Sequence, residues 1–230
     1  MRIKRRHSRL RIPETALIVL AICALLSGCR KDIRVNISRE DIAKANAASQ
    51  EGDIAFSRKD YYPALIKYLE SIRLNPNNEY VFNRLGIAYS QLKYYEEASN
   101  AFLRSIELNP KYPYSYNNLG SVYFAQKNLK KAEKYFKKAI SLKHDEASFH
   151  MNMGSLHLEK KRADKAMEEW RKGLALDPNV LKNSSISLIG ASSSTAERRY
   201  FMARLMASSG EVDMAIDGLK QAILEGFDNI

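Results

Sequence analysis

The sequence repeats itself at an interval of 34 residues, and this repeat constrains the fold more than any other feature. The clearest copy, residues 113–146, predicts two short amphipathic helices joined by a polar turn at residues 126–128. In each helix the apolar residues recur at offsets of three, four and seven, which places them on one helical face. Neither helix can bury that face alone, so each copy requires neighbours of the same kind.

Four copies align, at residues 45–78, 79–112, 113–146 and 147–180, and the first is the weakest. Each has a glycine in its first helix, and an alanine followed by a large aromatic residue in its second. These residues are Gly52, Gly86, Gly120 and Gly154; Ala64, Ala98, Ala132 and Ala166; and Tyr68, Phe102, Phe136 and Trp170. We expect the glycines and alanines to lie where the two helices cross, because larger side chains would push the helices apart.

This pattern resembles the tetratricopeptide repeat (TPR), a helix–turn–helix unit of 34 residues. The resemblance implies an all-α solenoid of about five stacked units. Ser38 is expected to cap a first helix that starts near Arg39, so that units one to four span 39–180. A Ser-rich loop at 181–195, either a connector or a functional lid, separates them from a divergent fifth unit at 196–230.

Residues 1–28 predict a bacterial lipoprotein signal peptide. Six basic residues precede an apolar run at 16–26, which is too short to span a bilayer. The run ends in Leu-Ser-Gly-Cys at 26–29, which resembles a lipobox and implies fatty acyl chains such as palmitate on Cys29. Residues 29–38 would then be a lipidated tether, and Arg30 in place of aspartate implies an outer-membrane protein facing the periplasm. An uncleaved signal anchor is the alternative.

Charge and cysteine content narrow the class of partner. Loss of residues 1–28, with six basic residues and one acidic residue, would lower the formal net charge from +11 to +6. The remaining positive charge favours acidic surfaces, and an exported protein is not expected to bind nucleic acid. Cys23 would leave with the signal peptide and Cys29 would be acylated, so no intrachain disulfide is expected.

No catalytic motif is present, so we expect a protein that is not an enzyme and has no cofactor. His150 and His157 lie seven residues apart on one predicted helix and share a face. That spacing is compatible with a metal site, but other units carry aromatic residues at the same positions. The sequence therefore favours core packing for both histidines and no metal.

The resemblance implies that the first helices of the units line a concave groove for a protein or peptide segment, with no small-molecule substrate. The positions that face the groove are Tyr80, Asn83, Arg84, Ile87, Tyr114, Asn117, Asn118, Phe124, Met151, Asn152 and Leu158. Asparagine can donate to and accept from a peptide backbone, and tyrosine offers a large contact area at low entropic cost. Alternatively, asparagine is simply a tolerated polar residue at these positions. The carboxylate clamp of some relatives is absent, since Asp53, Ile87 and Ser121 occupy its position.

Basic residues crowd the second helix of unit three and continue into unit four. They are Lys127, Lys130, Lys131, Lys134, Lys137, Lys138, Lys143, Lys160, Lys161, Arg162 and Lys165. This band either binds an anionic lipid or polymer surface or is an ordinary solvated face.

Together these features predict a lipid-anchored, non-enzymatic scaffold that assists assembly of a cell-envelope complex, similar in role to pilotins. Two other roles remain open: an adaptor for peptidoglycan enzymes, and a component of exopolysaccharide export. Because TPR arrays host many roles, this step rests on analogy at the level of the fold.

Overall fold

The computed structural model describes residues 37–180, 195–208 and 210–227, and these residues form helices, turns and short connections without strands. The helices are α1 (Arg39–Ser57), α2 (Tyr61–Leu74), α3 (Glu79–Gln91), α4 (Tyr95–Leu108), α5 (Pro113–Ala125), α6 (Leu129–Leu142), α7 (Ala147–Glu159), α8 (Ala163–Leu176), α9 (Thr195–Ser208) and α10 (Val212–Leu224). Consecutive pairs pack as helical hairpins, which confirms the predicted all-α solenoid. The predicted signal peptide, Cys29 and residues 181–194 lie outside the described residues.

Local sequence signals set the helix ends. The Ser38 hydroxyl accepts a hydrogen bond from the Asp41 backbone N–H (3.0 Å) and donates one to the Asp41 carboxylate (2.7 Å). These bonds satisfy the first turn of α1, as expected from the sequence. In units one to four the turn between the two helices contains a lysine with φ between 57° and 66°: Lys59, Lys93, Lys127 and Lys161. Unit five has Gly210 (φ +83°) in this turn, where glycine is free of the steric cost that lysine incurs.

The helices of units one to four cross at the predicted glycines. A Cβ atom built on Gly52, Gly86, Gly120 or Gly154 would lie 2.4 to 2.6 Å from the aromatic ring of the second helix. These rings, on Tyr68, Phe102, Phe136 and Trp170, are at most 1% exposed, so they have no space into which to move. The crossing therefore requires glycine.

Successive units share their cores. The Tyr68 ring lies in one cluster with Val81 and Leu85 of the following unit, and equivalent clusters join the later units. Unit one has no preceding unit among the described residues, and Glu51 replaces leucine at the position of Leu85. The Glu51 carboxylate is exposed and pairs with Lys67 (2.7 Å), so α1 presents a partly charged outer face.

The fifth unit packs on the fourth. Met202 and Leu205 of α9 share a hydrophobic cluster with Trp170 of α8 and with Val180. α9 begins at Thr195, the last residue of the range predicted for the Ser-rich loop, and α10 lies within the range 196–230 predicted for a divergent unit. Among the described helices, none has both the length and the apolar content needed to cross a membrane.

Candidate functional site

The first helices of units two, three and four, α3, α5 and α7, line a cavity of about 370 Å³. Eight of the eleven groove residues predicted from the sequence line it. They are Tyr80, Asn83, Arg84, Ile87, Tyr114, Asn117, Asn118 and Asn152. Seven further residues line the cavity that were not among the predicted groove residues, although Ser90, Ser121 and Ser148 occupy equivalent positions in their units. They are Ser90, Gln91, Phe102, Tyr112, Ser121, Ser148 and Phe149.

Three predicted groove residues lie in the core instead. Phe124, Met151 and Leu158 are 3%, 2% and 1% exposed, and none of them lines the cavity. Phe124 packs with Phe136 in the core between units three and four, and the Trp170 indole N–H donates to the Met151 carbonyl oxygen (3.1 Å). Apolar side chains at these positions turn towards the neighbouring helices, because burial there removes more apolar surface from water.

The asparagines tie neighbouring units together. The side-chain amide of Asn118 donates to Asn83 Oδ1 (3.0 Å), and the side-chain amide of Asn152 donates to Asn117 Oδ1 (2.9 Å). The Ser115 hydroxyl also donates to Asn83 (3.2 Å). Asn83, Asn117 and Asn152 are buried, whereas Asn118 is half-buried and accessible from the cavity. All four asparagines therefore join adjacent first helices, and Asn118, which is half-buried and not fully buried, is the one best placed to meet a ligand as well.

Two of the lining residues, Tyr80 and Arg84, contact Asp53 of unit one. The Asp53 carboxylate accepts hydrogen bonds from the hydroxyls of Tyr68 (2.7 Å) and Tyr80 (3.0 Å), and Arg84 Nε lies 3.1 Å from it. Arg84 Nε also donates to the Tyr80 hydroxyl (2.8 Å). Burial raises the pKa of both Tyr68 and Tyr80, so both hydroxyls remain protonated donors. The sequence showed only that Asp53 interrupts a clamp motif; its bonds to residues 15 and 27 positions later could not be predicted.

Another lining residue is Tyr114, whose hydroxyl donates to Glu146 (3.0 Å) and accepts from Lys143 Nζ (2.7 Å). The hydrogen bonds to Glu146 and Tyr114 raise the pKa of Lys143. Burial favours the neutral form of Glu146, but its hydrogen bonds outweigh burial and lower its pKa. The Tyr112 ring lies 5.5 Å from the Tyr114 ring, centroid to centroid. The cavity is thus lined by Tyr80 and Tyr114, whose rings are held by hydrogen bonds before any ligand arrives.

His150 belongs to the core. The His150 ring nitrogens lie 2.8 Å from the Glu169 carboxylate and 3.0 Å from the His144 carbonyl oxygen, so both are engaged. His157 is half-buried, and burial lowers its pKa. Among the described residues, no group of three or more potential metal ligands comes together.

Three family models match the chain. Two described as "Tetratricopeptide repeat" match residues 113–146 and 147–180, and one described as "TPR repeat" matches residues 91–127. The first two ranges coincide with the third and fourth units defined from the sequence. The chain therefore contains tetratricopeptide repeats.

Curated relatives match the repeats alone. The chain is 41% identical over 61 residues to small glutamine-rich tetratricopeptide repeat-containing protein 2 of Mycosarcoma maydis, which covers 26% of this chain and 17% of that protein. It is 34% identical over 74 residues to small glutamine-rich tetratricopeptide repeat-containing protein beta of Rattus norvegicus, covering 31% of this chain and 24% of the relative. The chain thus spans a quarter or less of the length of these relatives.

Solved structures share the fold at low sequence identity. PilF of Pseudomonas aeruginosa has a TM-score of 0.60 at 16% identity, over 83% of this chain and 80% of PilF. A TPR protein of Thermus thermophilus has a TM-score of 0.59 at 20% identity, over 79% of this chain and 91% of that protein. YrrB, described as a TPR protein with an unusual peptide-binding site, has a TM-score of 0.52 at 17% identity, over 83% of this chain and 90% of YrrB. At these identities the similarity shows the TPR solenoid fold and nothing more specific.

Proposed function

We propose that this tetratricopeptide-repeat solenoid is a non-enzymatic scaffold that binds an extended segment of a partner protein in the cavity between α3, α5 and α7. The observation that carries this proposal is the combination of fixed tyrosine rings with a half-buried amide and a cation in one cavity of about 370 Å³. Rigid aromatic walls bind a ligand at low entropic cost, because little side-chain freedom is lost on contact.

Asn118 supplies the polar contact that a peptide backbone needs. Within the described residues, its amide uses one N–H in the bond to Asn83, which leaves the second N–H and the carbonyl oxygen for a ligand. A peptide backbone offers one donor and one acceptor per residue, and an amide side chain can satisfy both. Arg84 adds a cation whose Nε is engaged by Asp53 and Tyr80, so its two terminal nitrogens remain for an acidic side chain.

Crosslinking from within the cavity tests the proposal. A photoreactive residue replaces Asn118 in the full chain, and captured peptides are identified by mass spectrometry after irradiation in cells. We expect one partner segment to dominate, and we expect Arg84→Ala to lower its yield roughly tenfold, the effect of losing about 1.4 kcal/mol of binding free energy. In a control variant the photoreactive residue replaces Lys134 in α6, away from the cavity. Capture of the same segment from that position with equal yield would show that the cavity is not the binding site.

The proposal extends to location. Residues 1–28 and Cys29 support lipid attachment in the cell envelope, with the solenoid at the outer membrane facing the periplasm and assisting assembly of an envelope complex. Labelling with an alkyne analogue of palmitate should mark the wild-type chain, and Cys29→Ser should remove the label. A partner identified as a secretin would support the pilotin-like role, whereas peptidoglycan enzymes or a polysaccharide exporter would select one of the other two roles.

A further inference from the structure

The repeated architecture allows the same outer surface to be compared in five units. The residues at positions 18, 22 and 25 of each unit lie on the second helix, and all of them are exposed. In units two to five most are polar or charged: Glu96, Asn100 and Leu103; Lys130, Lys134 and Lys137; Asp164, Glu168 and Arg171; and Asp213, Asp217 and Lys220. Unit one differs, since Tyr62, Ile66 and Leu69 are 57%, 63% and 40% exposed there. Packing within the solenoid does not require these apolar side chains.

The apolar surface continues onto unit two. The Tyr62 hydroxyl lies 3.1 Å from the hydroxyl of Tyr94, which is 42% exposed, and Leu103 of the same unit is 36% exposed. We call Tyr62, Ile66, Leu69, Tyr94 and Leu103 the convex apolar patch. A soluble surface normally presents large apolar side chains singly, so a group of five indicates a binding surface.

Unit three presents lysine at the equivalent positions. Four exposed lysines of α6 have no carboxylate partner among the described residues: Lys130, Lys131, Lys134 and Lys138. We call these four the lysine band. The single acidic residue of α6, Glu133, is already engaged by Lys137 and Lys160. Three of the band's ammonium groups lie over aromatic rings. Lys131 Nζ is 4.8 Å from the Tyr123 ring centroid, Lys134 Nζ is 5.8 Å from that of Tyr135, and Lys138 Nζ is 6.0 Å from that of Tyr116.

We propose that the convex apolar patch and the lysine band form one surface that lies on an anionic phospholipid bilayer, so that the cavity faces away from the membrane. Isoleucine and leucine enter the boundary between headgroups and acyl chains, tyrosine is favoured at that depth, and lysine is attracted to anionic headgroups. Neighbouring repeats differ by only a small rotation, so equivalent positions of units one to three face similar directions and one bilayer can contact both regions.

The composition favours lipid over a protein partner. Protein interfaces are enriched in arginine and depleted in lysine, whereas all four cations of the band are lysines. The inference rests on the proposed membrane location, and it adds the orientation of the solenoid on that membrane. Because the patch and the cavity lie on different helices, the chain can bind a bilayer with the patch and a partner segment in the cavity at the same time.

The test is crosslinking to lipid from defined positions of the full chain, mixed with vesicles at saturating concentration. A photoreactive residue is placed at Ile66 in one variant and at Asn118 in another. Vesicles contain phosphatidylglycerol and phosphatidylethanolamine, or phosphatidylcholine alone. We expect lipid adducts from residue 66 with phosphatidylglycerol and few from residue 118. A variant in which glutamate replaces Lys130, Lys134 and Lys138 should give a roughly tenfold lower yield of lipid adducts from residue 66.

Changing the exposed residues Arg39, Lys44 and Lys111, none of which lies on a second helix, to glutamate alters the net charge equally and should leave that adduct unchanged. Equal adducts from residues 66 and 118, no adduct from residue 66, or its crosslinking to a second protein chain would overturn the inference. A Cys29→Ser version is run in parallel. If wild type and Cys29→Ser float equally with phosphatidylcholine vesicles, to which the lysine band is not attracted, the proposed lipid anchor is wrong. The adduct at residue 66 with phosphatidylglycerol, read in both proteins, still decides the orientation.

Discussion

Units one to four cross their helices at a glycine beneath an aromatic ring, whereas unit five places Ala203 of α9 opposite Gly218 of α10. A Cβ atom on Gly218 would lie 3.1 Å from the Ala203 Cβ, which is less severe than the 2.6 Å between a Cβ on Gly120 and the Phe136 ring. The small residue has moved from the first helix to the second, and the aromatic ring is gone. A helical hairpin of this kind needs one very small residue at its crossing, and either helix can supply it.

The two regions also differ in their turns and junctions. Units one to four place lysine in a left-handed turn conformation, and unit five places Gly210 there. Units three and four are joined by a half-buried pair between Glu133 and Lys160, whereas the pair between Lys161 and Glu197 (3.4 Å) at the next junction leaves the lysine 76% exposed. Fixed side chains therefore contribute more to the stability of the central units, and an unstrained backbone turn contributes more to that of unit five.

The largest expected effect is at the central crossing. Gly120→Leu should lower the free energy of unfolding by roughly 3 kcal/mol, because the new side chain has no space beside the Phe136 ring. Gly218→Ala in unit five should cost distinctly less, since only a methyl contact tightens there. Urea unfolding monitored by circular dichroism measures both. Ser141→Leu on the exposed side of α6 is the control, and a Gly120→Leu protein as stable as that control would refute the packing argument.

The next effect concerns the asparagine bonds, which no described residue of unit five makes. Asn83→Ala should lower the free energy of unfolding by about 2 kcal/mol, because it removes the buried acceptor that Asn118 and Ser115 share. Asn118→Ala should cost less, since Asn118 is half-buried and its loss leaves Asn83 with the Ser115 donor. If the two variants unfolded at the same urea concentration, the asparagines would not have the separate structural and ligand-binding roles assigned to them.

A smaller effect of opposite sign is expected in the turns. Lys93→Gly should stabilise the protein by about 0.5 to 1 kcal/mol, because glycine adopts φ +63° without the steric cost borne by lysine. The reciprocal change, Gly210→Lys, should destabilise unit five by a similar amount. Thermal unfolding of the two variants tests this symmetry, and a destabilising Lys93→Gly would contradict it.

The smallest effect is the pH dependence of the junction between units three and four. Hydrogen bonds from Lys137 and Lys160 lower the pKa of Glu133 to about 2. A carboxyl group whose pKa is lowered on folding stabilises the protein at pH values above its ordinary pKa of 4.5. This contribution is lost as the pH falls towards 2. Glu133→Gln should therefore be less stable than wild type near neutral pH and equal to it near pH 2. Glu168→Gln, which affects an exposed pair within α8, should show a smaller difference, and a constant gap at all pH values would exclude the mechanism.

Much of the fold could be predicted because its signals are local and repeated. The 34-residue interval located the helices, and the glycine, alanine and aromatic positions identified the crossings, since these depend on helical periodicity alone. The candidate site was only partly predictable. Asn117 and Asn118 were expected to face one groove, but their bonds run to Asn152 and Asn83, 35 residues away, and so depend on how the units stack.

The sequence alone determined that this protein is an array of helical hairpins, because each copy carries an apolar face that only another copy can cover. The tertiary structure alone decided which residues meet. It placed Phe124, Met151 and Leu158 in the core, joined Asp53 to Tyr80, and set Tyr62 beside Tyr94. These outcomes depend on the rotation of each helix against its neighbour, which follows from side-chain packing across units and is not encoded in the period of any single helix.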